Sequence, residues 1–150
     1  MSSTAREIGV GSGLRRIVVA YDGSESAVRA VQFALRALVG PTTEVWIVHA
    51  SEAPRTVAEP RTEEEQGSET SAIEQSLRAV QAREDALGRR VHVWVREGAP
   101  AAVILAAATE ANAELIVVGT RGLRGARRLV LGSVSNDLVT RSGRPVVVVP

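Results

Sequence analysis

Apolar residues recur along this chain in two alternating rhythms. Short β-branched runs bounded by glycine, proline or polar turns read as buried strands, and longer stretches with apolar positions three and four apart read as helices. Arg16-Ile17-Val18-Val19-Ala20-Tyr21 is the first strand, stopping at Asp22-Gly23-Ser24. Ser24 has the chemistry of an N-cap for a helix predicted to reach Val39, with Ala27, Val28, Val31, Ala34, Leu35 and Leu38 inward. Gly40-Pro41 ends that helix, and a second strand follows over 44–50. The next helix is predicted from Ser71 to Leu87, with Ile73, Leu77 and Val80 on its apolar side and Glu84 elsewhere. A third strand over 91–96 alternates as an edge strand does. Pro100 opens a helix through Ala111, and Leu115 to Val118 is a fourth strand. A helix over 133–142, with Val134, Leu138 and Val139 on one side, and a strand over 145–149 complete the pattern.

Five strands alternating with four helices predict an α/β fold: a doubly wound, five-stranded parallel sheet with helices on both faces, Rossmann-like. In such sheets ligands bind beyond the carboxyl ends of the strands where the winding reverses, here at the ends of the first and fourth strands. Two stretches stand apart. Residues 1–14, rich in serine and glycine, read as a flexible leader, leaving 15–150 as one domain. Between Ser51 and Thr70, Glu52, Glu59, Glu63, Glu64, Glu65 and Glu69 face only Arg55 and Arg61, which reads as a mobile acidic segment.

Composition narrows the chemistry. The chain is 45% hydrophobic but only 3% aromatic, so its core is expected to be aliphatic. With no cysteine it has no disulfide, thiolate nucleophile or cysteine-ligated metal. A net charge of +1 argues against broad capture of nucleic acid or anionic membrane. No run approaches the roughly 20 apolar residues that span a bilayer, and the first residues lack a secretory signal, so a cytoplasmic protein is expected.

The most informative motif lies after the fourth strand. Gly119, Thr120, Arg121 and Gly122 precede nine residues and then Gly132, Ser133, Val134 and Ser135. A strand that ends in glycines and feeds a helix start presents free backbone N–H groups and the positive end of a helix dipole, which is an anion site in outline. Glycine at 119, 122 and 132 permits positive φ or close approach of a ligand, while Ser133 and Ser135 offer hydroxyls. Arg121, Arg124, Arg127 and Arg128 add positive charge, favouring a triphosphate over a neutral ligand. The competing reading is an ordinary glycine-rich turn with a solvated basic face.

From Arg15 onward the chain resembles the universal stress protein family. Ile17 to Ser24 looks like that family's first strand and turn, Trp46 to Ala50 like its second strand. The spacing G-x2-G-x9-G-[ST] at 119, 122, 132 and 133 is similar to that of its ATP-binding subgroup. The resemblance implies an adenine nucleotide alpha-hydrolase-like fold that binds ATP, with Mg on the phosphates. It places Ala20, Asp22 and Ala50 at adenine. It places Gly119, Thr120, Arg121, Gly122, Arg124 and Gly125 at ribose and phosphate, and Gly132, Ser133, Val134 and Ser135 at the phosphates. It also implies a homodimer through the terminal strand 145–149, whose valine-rich edge is an association hazard if left unpaired.

Several alternatives stand beside these. Asp22 suits a turn-shaping role as well as a ligand role. His49 and His92 have no partner at metal-ligand spacing, and Trp46 and Trp94 read as packing or rim residues. No positioned base or metal carboxylate accompanies the glycine loop, so a nucleotide sensor or switch in stress response is read in preference to a kinase or efficient ATPase. An interaction dimer without nucleotide, or a slow ATP hydrolase, are the remaining candidates.

Overall fold

In the computed structural model the described residues are 13–51, 63–120 and 131–150, with the side chains of 63–68 set aside. Strand β1 spans Arg16–Ala20 and helix α1 Glu25–Phe33, and α1 continues as a wider π turn over Ala34–Leu38. Strand β2 is Glu44–Ser51, α2 Glu63–Ala86, β3 Arg90–Glu97, α3 Pro100–Glu110, β4 Leu115–Gly119, α4 Ser133–Arg141 and β5 Val146–Val149. The strands pair in parallel in the order β3-β2-β1-β4-β5. The fold is thus the expected five-stranded parallel α/β sheet, with the winding reversing between β1 and β4.

Strand periodicity sorts the core into two layers. Val18, Val48, Ile116 and Val118 point to the side covered by Val103, Ile104 and Ala107 of α3 and Leu138 of α4. Ile17, Val19, Val45, Ile47 and Val117 point to the other side, against Ala30, Val31, Ala34 and Leu35 of α1 and its continuation and Leu77 of α2. The inner strands, buried on both faces, therefore read as unbroken apolar runs.

The structure corrects the sequence reading in several places. Helix α2 begins at Glu63, eight residues ahead of the predicted Ser71. The remainder of the acidic stretch, 52–62, lies outside the described residues. Leu14, assigned to the leader, packs on the α1/α2 side, and its carbonyl accepts from Thr43 Oγ1 at 2.6 Å. Val28 and Val139 were expected inward but are 38% and 46% exposed; each sits on the flank of a stripe centred on smaller or better placed residues. Glu84 is buried and held by Arg83 and Arg89 at 2.9 and 2.8 Å, a paired burial that helical spacing alone does not reveal.

β3 is the predicted edge strand. On its α3-facing side His92 stacks on Trp46, Trp94 meets Trp46 edge-on, and the Arg96 guanidinium lies 4.2 Å from the Trp94 ring centre. Arg96 also binds both carboxylate oxygens of Glu110 on α3. That hydrogen-bonded pair holds the Glu110 carboxyl below its usual value of 4.5. A carboxyl whose pKa is lowered by folding contributes stability above its unfolded value, lost as pH falls through the folded value. Urea midpoints should therefore fall below about pH 4.5, and Glu110→Gln should flatten that part of the profile when the two proteins are compared from pH 7 to pH 3.

Candidate functional site

The carboxyl ends of β1 and β4 meet where the sheet reverses, and short-range chemistry shapes both. After Ala20, Tyr21 N donates to Val48 O at 2.9 Å, so the pairing with β2 continues one residue past the end of β1. Asp22 Oδ1 then accepts from Ser24 N at 2.9 Å, and Gly23 takes φ +82°, a left-handed turn that a Cβ disfavours. Ser24 caps α1 by accepting from Ala27 N at 3.2 Å, as predicted. His49 Nδ1 lies 2.9 Å from Tyr21 O; a carbonyl only accepts, so Nδ1 carries the proton and the buried ring clamps the turn from β2. Burial first, and the neighbouring Asp22 carboxylate second, push the Tyr21 phenol up, so it stays a neutral donor at neutral pH.

At the end of β4, Thr120 N donates to Val149 O at 2.9 Å, and Gly132 N donates to Thr120 O at 3.0 Å. The chain therefore departs after Thr120 and returns at Gly132 to the same point. Gly132 is the N-cap of α4 with no side-chain hydrogen bond in the cap, which leaves first-turn N–H groups without the side-chain acceptor that commonly answers them. Ser133 is exposed beside them and Val134 is half-buried against the α3/α4 core.

Three motif positions have structural duties that the sequence reading did not assign. Gly119 and Gly132 are not left-handed. A Cβ on Gly119 would meet Ser26 Oγ at 2.5 Å and Ser26 and Ala27 backbone atoms at 2.7 and 2.9 Å; the close approach served here is that of α1. A Cβ on Gly132 would lie 3.1 Å from Thr120 O, so this glycine permits the closure of the loop. Ser135 is buried and its hydroxyl donates to Gly132 O at 2.9 Å, so it braces the helix start and leaves only Ser133 with an outward hydroxyl. Asp22 likewise has one oxygen engaged in shaping its own turn.

Ala20 and Ala50 lie at the ends of adjacent strands on the α3-facing side, Ala20 buried and Ala50 partly so. Neither carries a polar side chain, so both suit contact with a flat apolar face. Arg121, Gly122, Arg124 and Gly125 lie outside the described residues. The structure thus brings together Ala20, Asp22, Ala50, Gly119, Thr120 and the α4 start at one end of the sheet. His49, at the end of an apolar strand, serves structurally as the sequence suggests; Ser26 was missed as a support, and the signal available was its position in a helix first turn. Among the described residues no three His, Asp or Glu side chains converge as a metal site, and no helix is long and apolar enough to cross a membrane.

This architecture is shared. Residues 13–150 match the model of the universal stress protein family. A universal stress protein of Thermus aquaticus is 37% identical over 142 residues, covering 90% of this chain and 98% of that protein. Among solved structures, the UspA universal stress protein of Lactobacillus plantarum superposes with a TM-score of 0.77 at 18% identity, covering 93% of this chain and 99% of the other. A universal stress protein solved in complex with cAMP has a TM-score of 0.68 at 29% identity, covering 93% and 99% of the two chains. With the match running the length of the sheet and through the glycine-spaced loop to β5, the chain belongs to the universal stress protein family.

Proposed function

We propose that this protein binds ATP at the carboxyl ends of β1 and β4 and works as a nucleotide-dependent switch in stress response. The observation that carries the reading is the start of α4: a glycine N-cap without a side-chain acceptor, an exposed Ser133, and a return of the chain to Thr120 that brings this helix start to the carboxyl end of β4. Backbone donors at a helix start bind phosphate oxygens. Ala20 and Ala50 supply an apolar margin for adenine, and Asp22 follows Ala20 in the turn at the end of β1. Arg121, Gly122, Arg124 and Gly125 extend the phosphate cradle in this reading. The relative bound to cAMP supports an adenine nucleotide as the ligand class. Magnesium fits as a companion of the phosphates, held by their oxygens and water, since no carboxylate cluster is present among the described residues to cage it.

The protein is proposed to act in the cytoplasm by binding and not by turnover. Isothermal titration of nucleotide-free protein with ATP and magnesium should give saturable binding, with steady-state hydrolysis far below the roughly 1–100 s⁻¹ of kinases. Absence of heat at millimolar ATP would leave the interaction-dimer reading, which the structural duties of Gly119, Ser135 and Asp22 favour.

Pairing through 145–149 completes the proposal. Thr120 N bonds Val149 O and Ile116 N bonds Pro145 O, so the odd-numbered carbonyls of β5 turn inward and Val146 and Val148 present their backbone outward. The half-buried valines of β5 would be covered by a two-fold partner. Light scattering at micromolar concentration should give a dimer mass, and Val148→Pro should give a monomer.

A further inference from the structure

The other end of the sheet is the long edge strand β3. Gly98 N donates across to Ser51 O of β2. By strand alternation the even-numbered residues of β3 bond inward, and Val91, Val93, Val95 and Glu97 turn their N–H and C=O groups outward. One outward carbonyl is already answered, since Gln81 Nε2 of α2 donates to Val91 O at 2.9 Å. Past that bond an open groove of about 460 Å³ runs between α2 and the strand, floored by Val93 and Val95 and rimmed by Glu74, Arg78 and Gln81.

β3 has eight residues and no proline, and its charged residues stand at its ends around an apolar centre, Val93-Trp94-Val95. Edges of this kind are templates for strand pairing unless something covers them. β5 is four residues long and lies between Pro145 and Pro150.

The cations near β3 are not equivalent. Arg90 is bound to Glu44 at 3.2 Å and Arg96 to both oxygens of Glu110. The Arg78 side chain is 78% exposed and its pairing with Glu74 is long, 3.9 Å, a geometry worth little in water. Arg78 is thus the groove cation best placed to accept an incoming carboxylate.

We propose that the β3 edge and the α2 groove bind an extended segment of another protein by strand addition. The segment pairs its main chain with Val93, Val95 and Glu97, turns β-branched side chains toward the groove at alternate positions, and places a carboxylate on Arg78. Its other side chains lie on the Trp94 side. The choice of another protein over a second copy rests on the proposed β5 pairing: two-fold pairing at both edges generates an open ribbon, not a closed assembly.

The test uses full-length protein and a capped eight-residue peptide alternating threonine and valine, with one central valine replaced by glutamate. Binding should slow amide exchange at Val93, Val95 and Glu97. A lysine version of the peptide should bind more weakly, by up to about fivefold, and Arg78→Glu should reverse that order. Val95→Pro, which removes an outward N–H and a side chain of the groove floor while sparing the ladder to β2, should abolish binding. No binding, or protection elsewhere, would overturn the proposal. Peptide-independent growth beyond a dimer that Val95→Pro suppresses would also overturn it, assigning the edge to a second copy. A monomer mass with protection at β3 intact would remove the β5 pairing and still establish this surface.

Discussion

Gly119→Val is expected to melt well below the wild-type protein and to lose nucleotide binding with it. Position 119 is not left-handed, so the cause is space. The atoms a Cβ would meet at 2.5–2.9 Å include Ser26 C and Ala27 N, which are backbone at the first turn of α1 and cannot rotate aside. Overpacking such a site costs about 1–3 kcal/mol and occasionally more. For a chain of this size that lowers the melting temperature by roughly 2–12 °C. Ser26→Gly removes the hydroxyl but not the two backbone atoms, so it should not rescue the variant. Gly40→Ala, whose nearest neighbour is Thr43 Oγ1 at 3.6 Å, is the control and should stay within about 0.5 kcal/mol of wild type. A melting temperature for Gly119→Val equal to that of Gly40→Ala would show that α1 does not wedge against β4.

ATP with magnesium should raise the melting temperature of nucleotide-free protein, and Gly122→Val should erase that rise. A ligand at 100 times its dissociation constant stabilises by about 2.7 kcal/mol, or roughly 5–11 °C for a domain this size. The contrast with position 119 is the informative part. Gly119→Val should lower the melting point with or without ATP, because its contacts are internal to the fold. Gly122→Val should leave the ligand-free melting point near wild type and remove only the response. Loss of ligand-free stability in Gly122→Val would assign that glycine, too, to packing. A full ATP response in that variant would exclude it from the phosphate site.

These two glycines show where sequence reading reaches and where it stops. Within one motif they carry the same apparent meaning, close approach to a phosphate. At 119 the close neighbour is instead the first turn of a helix nearly a hundred residues earlier in the chain. Ser135 tells the same story: a hydroxyl beside a helix start suggests a ligand donor, but its proton is directed to Gly132 O. The turn-shaping role of Asp22 was legible, and its bond to Ser24 N is present.

The sequence by itself determined the strand and helix alternation, the two aliphatic faces of each inner strand, the Ser24 cap, the edge character of β3 and the family. All of these follow from periodicity and local hydrogen-bonding preference, which act over a few residues and are written into the order of the chain. Tertiary structure decided which glycine serves packing, which hydroxyl is already engaged, that Glu84 is buried between two arginines, that His49 clamps Tyr21, and that Arg78 borders an open groove. Each of those depends on contacts between distant segments, where the partner and its distance, and not the residue type, set the physical consequence.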